Sequence, residues 1–219
     1  MIAENITKIR NVLQEGVTLI VVSKTKPIEA ILEAYHAGQH IFGENKVQEM
    51  CAKYELLPKD ISWHLIGHLQ SNKVKFIAPF VSLIHAVDSF KLLKEINKEA
   101  KKNGRVIDCL LQFHIALEET KFGFSFDEAT EMLHDESFFE LENVRIIGLM
   151  GMATFVDSQE QIREEFRTLH NYFQIIKSHH FTLNPDFKEL SMGMSGDYQI
   201  AMEEGSTMVR IGSAVFGER

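Results

Sequence analysis

Residues 18–42 read TLIVVSKTKPIEAILEAYHAGQHIF, which is one complete strand–helix–strand repeat. The run at residues 18–22 is apolar or β-branched throughout, which is typical of a parallel strand buried on both faces. Pro27 suits the first position of a helix and Gly38 its end, so a helix is predicted between them. A second apolar run follows at residues 40–42. The segment therefore predicts parallel strands joined by helical crossovers.

The same alternation continues along the chain, with amphipathic stretches between short apolar runs. The runs lie at residues 18–22, 40–42, 63–66, 83–87, 106–113, 145–150, 188–190 and 207–215. Eight strands alternating with helices predict an α/β fold, namely a single closed (β/α)8 TIM barrel with an extra N-terminal helix. We expect one domain over residues 1–219. A doubly wound open sheet is the alternative architecture.

Composition and charge exclude several classes of protein. The 219 residues are 45% hydrophobic and 25% charged, which rules out a disordered chain or a disulfide scaffold. Lys plus Arg total 23 and Asp plus Glu total 31, and the net charge of −8 argues against binding to nucleic acid or an anionic membrane. The scattered cysteines and histidines indicate no metal site, and no apolar run has the length of a membrane span. We expect a cytoplasmic protein.

Two lysines follow the first predicted strand, at the barrel end where functional side chains collect. Burial of a lysine lowers its pKa and favours the neutral amine that forms a Schiff base. A lysine that extends from the barrel mouth into water is the structural alternative. Lys24 and Lys26 share a face by the two-residue period of a strand. Because Lys26 abuts Pro27 and lies beyond the sheet, the pattern favours Lys24 without excluding Lys26.

Small polar residues follow the predicted seventh and eighth strands, where barrels often bind a phosphate. Ser195 lies in the first of these segments, and Gly212 and Ser213 lie in the second, two positions after Arg210. Glycine allows close backbone approach, and serine hydroxyls donate to phosphate oxygens. Ordinary turns and helix caps would explain either segment alone, but both together predict a phosphate site. No Walker or dinucleotide-binding motif is present, so a nucleotide is not implied.

A strand-end lysine and a phosphate site together match the requirements of pyridoxal 5′-phosphate (PLP), whose aldehyde forms a Schiff base with lysine. Arg210 is a candidate partner for the pyridine nitrogen of this cofactor. A guanidinium keeps its proton at ordinary pH, so it would leave that nitrogen unprotonated and the ring a weak electron sink. The sequence therefore predicts PLP binding with little carbanion chemistry.

Several segments carry a resemblance to a known family: VSKTKP at 22–27, FGEN at 42–45, WHLIGHLQSNK at 63–73, GLM at 148–150, SMGMSGD at 191–197 and GSTMVRIGS at 205–213. They resemble the YggS/PROSC family of PLP-binding homeostasis proteins and follow the family order over nearly the whole chain. The resemblance implies a barrel similar to the cofactor domain of alanine racemase, with PLP at its mouth.

The resemblance also implies roles for individual residues. Lys24 matches the Schiff-base lysine, and Arg210 matches the residue that faces the pyridine nitrogen. Three further residues match the phosphate contacts of the family: Ser195, Gly212 and Ser213. Asn45 matches a position near the cofactor ring. The family is thought to hold, buffer and hand over PLP, which makes PLP-dependent apo-enzymes possible partners. No catalytic residue is implied.

Three functions remain open at this point. The first is a non-catalytic PLP carrier, the second a PLP-dependent enzyme resembling an amino-acid racemase, and the third a barrel that binds another phosphorylated metabolite. Racemisation by two bases needs an acid/base group on each face of the substrate, and barrel racemases take one from an additional β domain. We expect this chain to lack that domain, so the carrier is favoured.

Overall fold

Eight parallel strands close into a barrel in sequence order, and the eighth strand pairs with the first. The structure is a computed structural model that describes residues 1–116 and 122–217. The (β/α)8 prediction is confirmed and the open-sheet alternative is wrong, because Ile20 in the first strand lies opposite Arg210 in the last. Closure pairs both edges of the sheet and brings all strand ends to one rim.

The strands are β1 (Thr18–Val22), β2 (Ile41–Glu44), β3 (Ser62–Leu65), β4 (Leu83–Val87), β5 (Ile107–Phe113), β6 (Val144–Gly151), β7 (Glu189–Met194) and β8 (Met208–Ile211). The helices of the described residues are α1 (Ile2–Val12), α2 (Ile28–His36), α3 (Val47–Leu56), α4 (Val74–Ile77), α5 (Phe90–Lys102), α6 (Phe126–His134), α7 (Gln159–His180), α8 (Tyr198–Glu203) and α9 (Ser213–Phe216). Two short 3₁₀ helices are Ser71–Lys73 and Glu136–Phe138. Within the described ranges, no helix is long and apolar enough to cross a membrane.

The strands separate two apolar layers, which explains why their sequences are almost uninterrupted apolar runs. The smaller layer fills the barrel interior with Ile20, Leu83, Ala86, Leu110, Met150 and Met208. The larger layer lies between the strands and the surrounding helices, with Phe42, Trp63 and Phe166 among its fully buried side chains. Most strand residues are therefore buried whichever way they point, and the exceptions, such as Arg145 in β6, lie mainly near the N-terminal ends of the strands.

Helix α2 shows how local sequence sets the element boundaries. Pro27 precedes the helix as its N-cap instead of occupying its first position, so that part of the prediction is off by one residue. Gly38 follows the last turn with φ +82°, a left-handed conformation that ends helices and suits glycine. The predicted helix end is thus confirmed by the backbone.

The predicted eighth strand is too long at its C-terminal end. β8 stops at Ile211, and the rest of the apolar run at 207–215 turns at Gly212 and continues as α9. Val215 is buried because α9 packs against the N-terminal helix, where Asn5 Nδ2 donates to the Val215 carbonyl at 3.0 Å. The apolar character of this segment therefore reflects helix packing, and Gly212 and Ser213 lie at a strand–helix turn.

Candidate functional site

A cavity of about 740 Å³ opens where the C-terminal ends of the strands meet. Its wall contains all the residues for which the sequence predicted a binding role: Lys24, Asn45, Ser195, Arg210, Gly212 and Ser213. They come from the ends of β1, β2, β7 and β8, and barrel closure brings these four strands to one side of the rim. The structure thus collects the predicted site residues in one place, while their contacts with a cofactor stay a prediction.

Lys24 lies in a tight turn directly after β1. The turn covers residues 23–26 and is closed by the Lys26 N–H, which donates to the Ser23 carbonyl at 3.0 Å. The Lys24 amine has no hydrogen-bond or ion-pair partner within residues 1–116 and 122–217. Lys26, by contrast, donates to the Gly217 carbonyl at 3.3 Å, and its Nζ lies 5.6 Å from the centre of the Phe216 ring. The geometry therefore separates the two lysines and favours Lys24 as the reactive amine.

Arg210 extends from β8 and is only 3% exposed. Nη1 donates to the Ser191 carbonyl at 2.9 Å and to the Ser191 hydroxyl, and Nη2 donates to the Gly151 carbonyl at 3.1 Å. Burial lowers the pKa of Arg210 to about 10, partly opposed by Asp197, so the guanidinium stays protonated at neutral pH. These three partners are neutral oxygens, and the remaining N–H groups of the guanidinium are available to the cavity.

A buried histidine pair continues this network into the barrel interior. His85 Nδ1 lies 3.0 Å from the Ser191 hydroxyl, and His85 Nε2 lies 3.0 Å from His64 Nδ1. Burial lowers the pKa of His64 to about 3 and that of His85 well below its usual value, so both rings are neutral at pH 7. Sequence reasoning missed His85, and it placed Ser191 in the segment after the seventh strand, whereas Ser191 lies within β7. The available signal was a histidine inside an apolar strand run, since such a group must find a buried partner.

The part of the wall after β7 and β8 carries serine hydroxyl groups. Ser195 follows β7, and its hydroxyl accepts the Gly212 N–H at 3.2 Å, so the loops after β7 and β8 touch. Asp197 Oδ1 accepts the Met194 N–H at 2.5 Å and shapes the same loop. Ser213 begins α9 with an exposed side chain. Ser195, Gly212 and Ser213 thus line the same cavity at the ends of two neighbouring strands.

Asn45 follows β2, and its backbone packs closely against Gly67 in the loop after β3. A Cβ on Gly67 would lie 2.5 Å from the Asn45 carbonyl oxygen, so only glycine fits beside it. The loop after β6 forms the outer wall, where Glu165 accepts the Thr154 N–H at 2.6 Å and the Thr154 hydroxyl at 2.7 Å. Phe155 in this loop is 96% exposed at the cavity mouth.

The residues of the cavity fit a small phosphorylated aldehyde such as PLP. Lys24 offers an amine with no partner among the described residues, Ser195 and Ser213 offer hydroxyl donors beside Gly212, and Arg210 offers a buried cation. An amine is the group that condenses with an aldehyde, and hydroxyl and amide donors are the usual partners of phosphate. No group of three or more possible metal ligands occurs in the described part of the chain.

Comparisons with known proteins agree with this fit. The family model described as alanine racemase, N-terminal domain, matches residues 1–219. A pyridoxal phosphate homeostasis protein from Aquifex aeolicus is 43% identical over 202 residues, which cover 92% of this chain and 86% of that protein.

Solved structures show the same similarity. PipY of Synechococcus elongatus, solved with PLP bound, has a TM-score of 0.90 at 36% identity and covers 99% of this chain and 100% of its own. Alanine racemase from Clostridium difficile has a TM-score of 0.78 at 15% identity, covering 100% of this chain and 60% of its own. At 15% identity, this similarity shows only that the chain and the racemase share a fold.

Proposed function

The chain belongs to the family of pyridoxal phosphate homeostasis proteins, and on that premise we propose that it binds PLP and holds it as a lysine-linked store. The observation that carries the proposal is the Lys24 amine, which lacks a partner among the described residues and shares one cavity with the phosphate donors and Arg210. The PLP-bound PipY structure supports the same cofactor.

Each predicted residue has a role in this proposal. The neutral Lys24 amine would add to the aldehyde carbon of PLP to form a C=N bond, and the aldehyde oxygen would leave as water with the two amine protons. The Ser195 and Ser213 hydroxyls hold the phosphate, and Gly212 lets the backbone after β8 approach it closely. Arg210 donates to the pyridine nitrogen, and Asn45 lies beside the ring. When bound, PLP supplies an electrophilic carbon conjugated to an electron-withdrawing ring.

The store acts without catalytic turnover. The relatives are named for homeostasis, and the racemase alternative has only fold similarity at 15% identity behind it. Arg210 adds a physical reason, since a guanidinium with a pKa of about 10 donates its hydrogen bond without transferring its proton. An unprotonated pyridine ring withdraws electrons weakly, which leaves a substrate Cα–H bond intact.

The recipients of PLP in this proposal are PLP-dependent apo-enzymes. The cytoplasmic location and the single domain over residues 1–219 stay predictions from the sequence.

The experiment that tests the proposal is borohydride reduction of the protein loaded with PLP, followed by peptide mass mapping. The pyridoxyl group should appear on Lys24 and should be lost in Lys24→Ala. Lys26→Ala is the matched control, because it removes the neighbouring lysine of the same turn and should retain the label. A pyridoxyl group on Lys26, or on neither lysine, would overturn the assignment.

A further inference from the structure

A buried ion cluster contacts the turn that carries Lys24. It consists of Lys53 and Glu49 from α3 and Glu44 from the end of β2, and we refer to it as the Lys53 cluster. Lys53 is only 6% exposed, and its Nζ donates at 2.7 Å to each of three oxygens: Glu44 Oε1, Glu49 Oε1 and the Ser23 carbonyl. These partners use the full donor capacity of the ammonium.

The cluster holds the backbone on both sides of Lys24. Ser23 precedes Lys24: its hydroxyl donates to Glu44 Oε1 at 2.6 Å, and its carbonyl accepts from Lys53. Thr25 follows Lys24, and its N–H donates to Glu49 Oε1 at 2.5 Å. The two neighbours of Lys24 are thus bound to one network, buried at Ser23 and partly exposed at Thr25, whereas the Lys24 side chain has no partner in the described ranges.

The conformation of the turn needs such support. Thr25 has φ +64°, and it is the one non-glycine residue with positive φ in the described chain. This left-handed conformation is unfavourable for a β-branched residue and persists when surrounding contacts stabilise it. The bond from the Thr25 N–H to Glu49 is such a contact.

The charges of the cluster indicate that it selects the conformation of the turn more than it stabilises the fold. Burial raises the pKa of Glu44 although Lys53 and Ser23 oppose it, and Glu44 Oε2 is buried without a hydrogen-bond partner. Burial also raises the pKa of Glu49, but Lys53 and the Thr25 N–H together hold it below its ordinary value. Buried ion pairs contribute little net stability, because desolvation offsets their attraction, while they do select one arrangement of the groups they join.

We propose that the Lys53 cluster positions Lys24: it fixes the turn at Ser23 and Thr25 so that the amine faces the cavity before PLP arrives. The inference rests on the proposed function, in which Lys24 bonds to PLP. Lys53, Glu44 and Glu49 are positioning residues, since their effect reaches the cofactor through the backbone of the turn.

The test compares two ligands in Glu49→Ala, Glu49→Gln and Lys53→Met. PLP reports bond formation through the rise of its visible lysine-linked absorption. Pyridoxine 5′-phosphate, which carries an alcohol in place of the aldehyde, reports the non-covalent contacts alone. We expect Glu49→Ala and Lys53→Met to slow bond formation to PLP at least tenfold while changing the affinity for pyridoxine 5′-phosphate less than twofold. Glu49→Gln keeps an acceptor for the Thr25 N–H and should recover part of the rate.

A second readout needs no cofactor. In the ligand-free protein, amide hydrogen exchange at Thr25 should accelerate at least tenfold in Glu49→Ala. Arg105→Met is the matched control, because Arg105 also donates to two carbonyls, those of Ala78 and Val81, but lies before β5 at the opposite end of the barrel. It should leave both the exchange at Thr25 and the rate of bond formation unchanged.

The outcomes separate the two proposals. Wild-type bond formation at Lys24 with equal rates in all variants would overturn the positioning role and leave the proposed function intact. Weaker binding of both ligands to the same extent would also overturn it, since the cluster would then support the site as a whole. Wild-type protein that forms no bond to PLP at Lys24 would overturn the proposed function itself.

Discussion

At the scale of single residues, Arg210 is the buried cation of the cavity, and the proposed function depends on how it is held. Its guanidinium is held by the carbonyls of Ser191 and Gly151, so it cannot swing away from the wall. Burial lowers the pKa of Arg210 to about 10, yet the group still carries its proton at pH 7. In the proposed function, a donor of this kind would bind the pyridine nitrogen without protonating it, which would support retention of PLP and disfavour carbanion formation.

A direct prediction concerns proton exchange at the Cα of a bound amino acid. With excess PLP-loaded protein in deuterated water, NMR should show no exchange that approaches an enzyme-like turnover of about 1 s⁻¹. Lys24→Ala loaded with PLP sets the background rate. Exchange near that turnover in the wild type, and its absence in Lys24→Ala, would favour the racemase-like alternative.

The phosphate donors allow a second prediction at this scale. Ser195→Ala and Ser213→Ala should each weaken PLP retention about tenfold or more, because a hydrogen bond to a charged group contributes about 1.5–3 kcal/mol. Equilibrium dialysis measures the loss. Ser178→Ala, which removes an exposed hydroxyl near the end of α7, should retain PLP as the wild type does. Equal retention in all three variants would place the phosphate elsewhere.

At the scale of elements, the contact between β6 and β7 depends on a glycine. Gly148 in β6 lies opposite Glu189 in β7 and has φ +158°. A Cβ at this position would lie 1.7 Å from the Glu189 carbonyl oxygen, which is a backbone atom that cannot rotate away. The close approach matters for the site because β7 leads directly to Ser195.

Gly148→Ala should therefore lower the free energy of unfolding by about 3 kcal/mol, at the upper end of the range for overpacked sites. Urea denaturation of the ligand-free protein measures the change. Gly196→Ala is the control, since no atom lies within 4 Å of the Cβ it would add, and its effect should stay within about 0.5 kcal/mol. A neutral effect of Gly148→Ala would mean that β6 and β7 separate at this point.

At the scale of the whole molecule, the buried histidines couple stability to pH. Burial lowers the pKa of His64 from 6.5 to about 3 and that of His85 well below 6.5. Between pH 6.5 and 3 the unfolded chain therefore binds more protons than the folded chain, so stability falls as the pH falls through this window. Each of these histidines contributes up to about 1.4 kcal/mol per pH unit to the slope of the free energy of unfolding against pH.

The corresponding prediction is that His64→Gln reduces this slope. The variant should be less stable than the wild type at pH 7, because His85 loses its partner, but its free energy of unfolding should depend less on pH below 6.5. Urea denaturation at a series of pH values measures both effects. His36→Gln, which removes an exposed histidine of α2, should keep the wild-type slope. An unchanged slope in His64→Gln would contradict a buried neutral His64.

Local sequence was sufficient to predict the barrel and to name residues that line one cavity of it. Buried parallel strands must be apolar on both faces, so β1 and β4 were predicted with the bounds that the structure has. Closure in sequence order then places every strand end on one rim, which is why Lys24, Ser195 and Ser213 could be assigned to one site before any geometry was known. The end of β8 could not be predicted, because Val215 is apolar for packing against α1 and not for a strand.

The sequence by itself determined the fold class, the family and the residues around the cavity, since these follow from periodicity and from short motifs. The tertiary structure alone decided which groups touch. Ser191 and His85 are 106 positions apart, and Lys53 meets Ser23 across 30 positions. No pattern in the chain marks such pairs, because their proximity is a result of barrel closure, and burial then makes each polar group depend on the partner that closure provides.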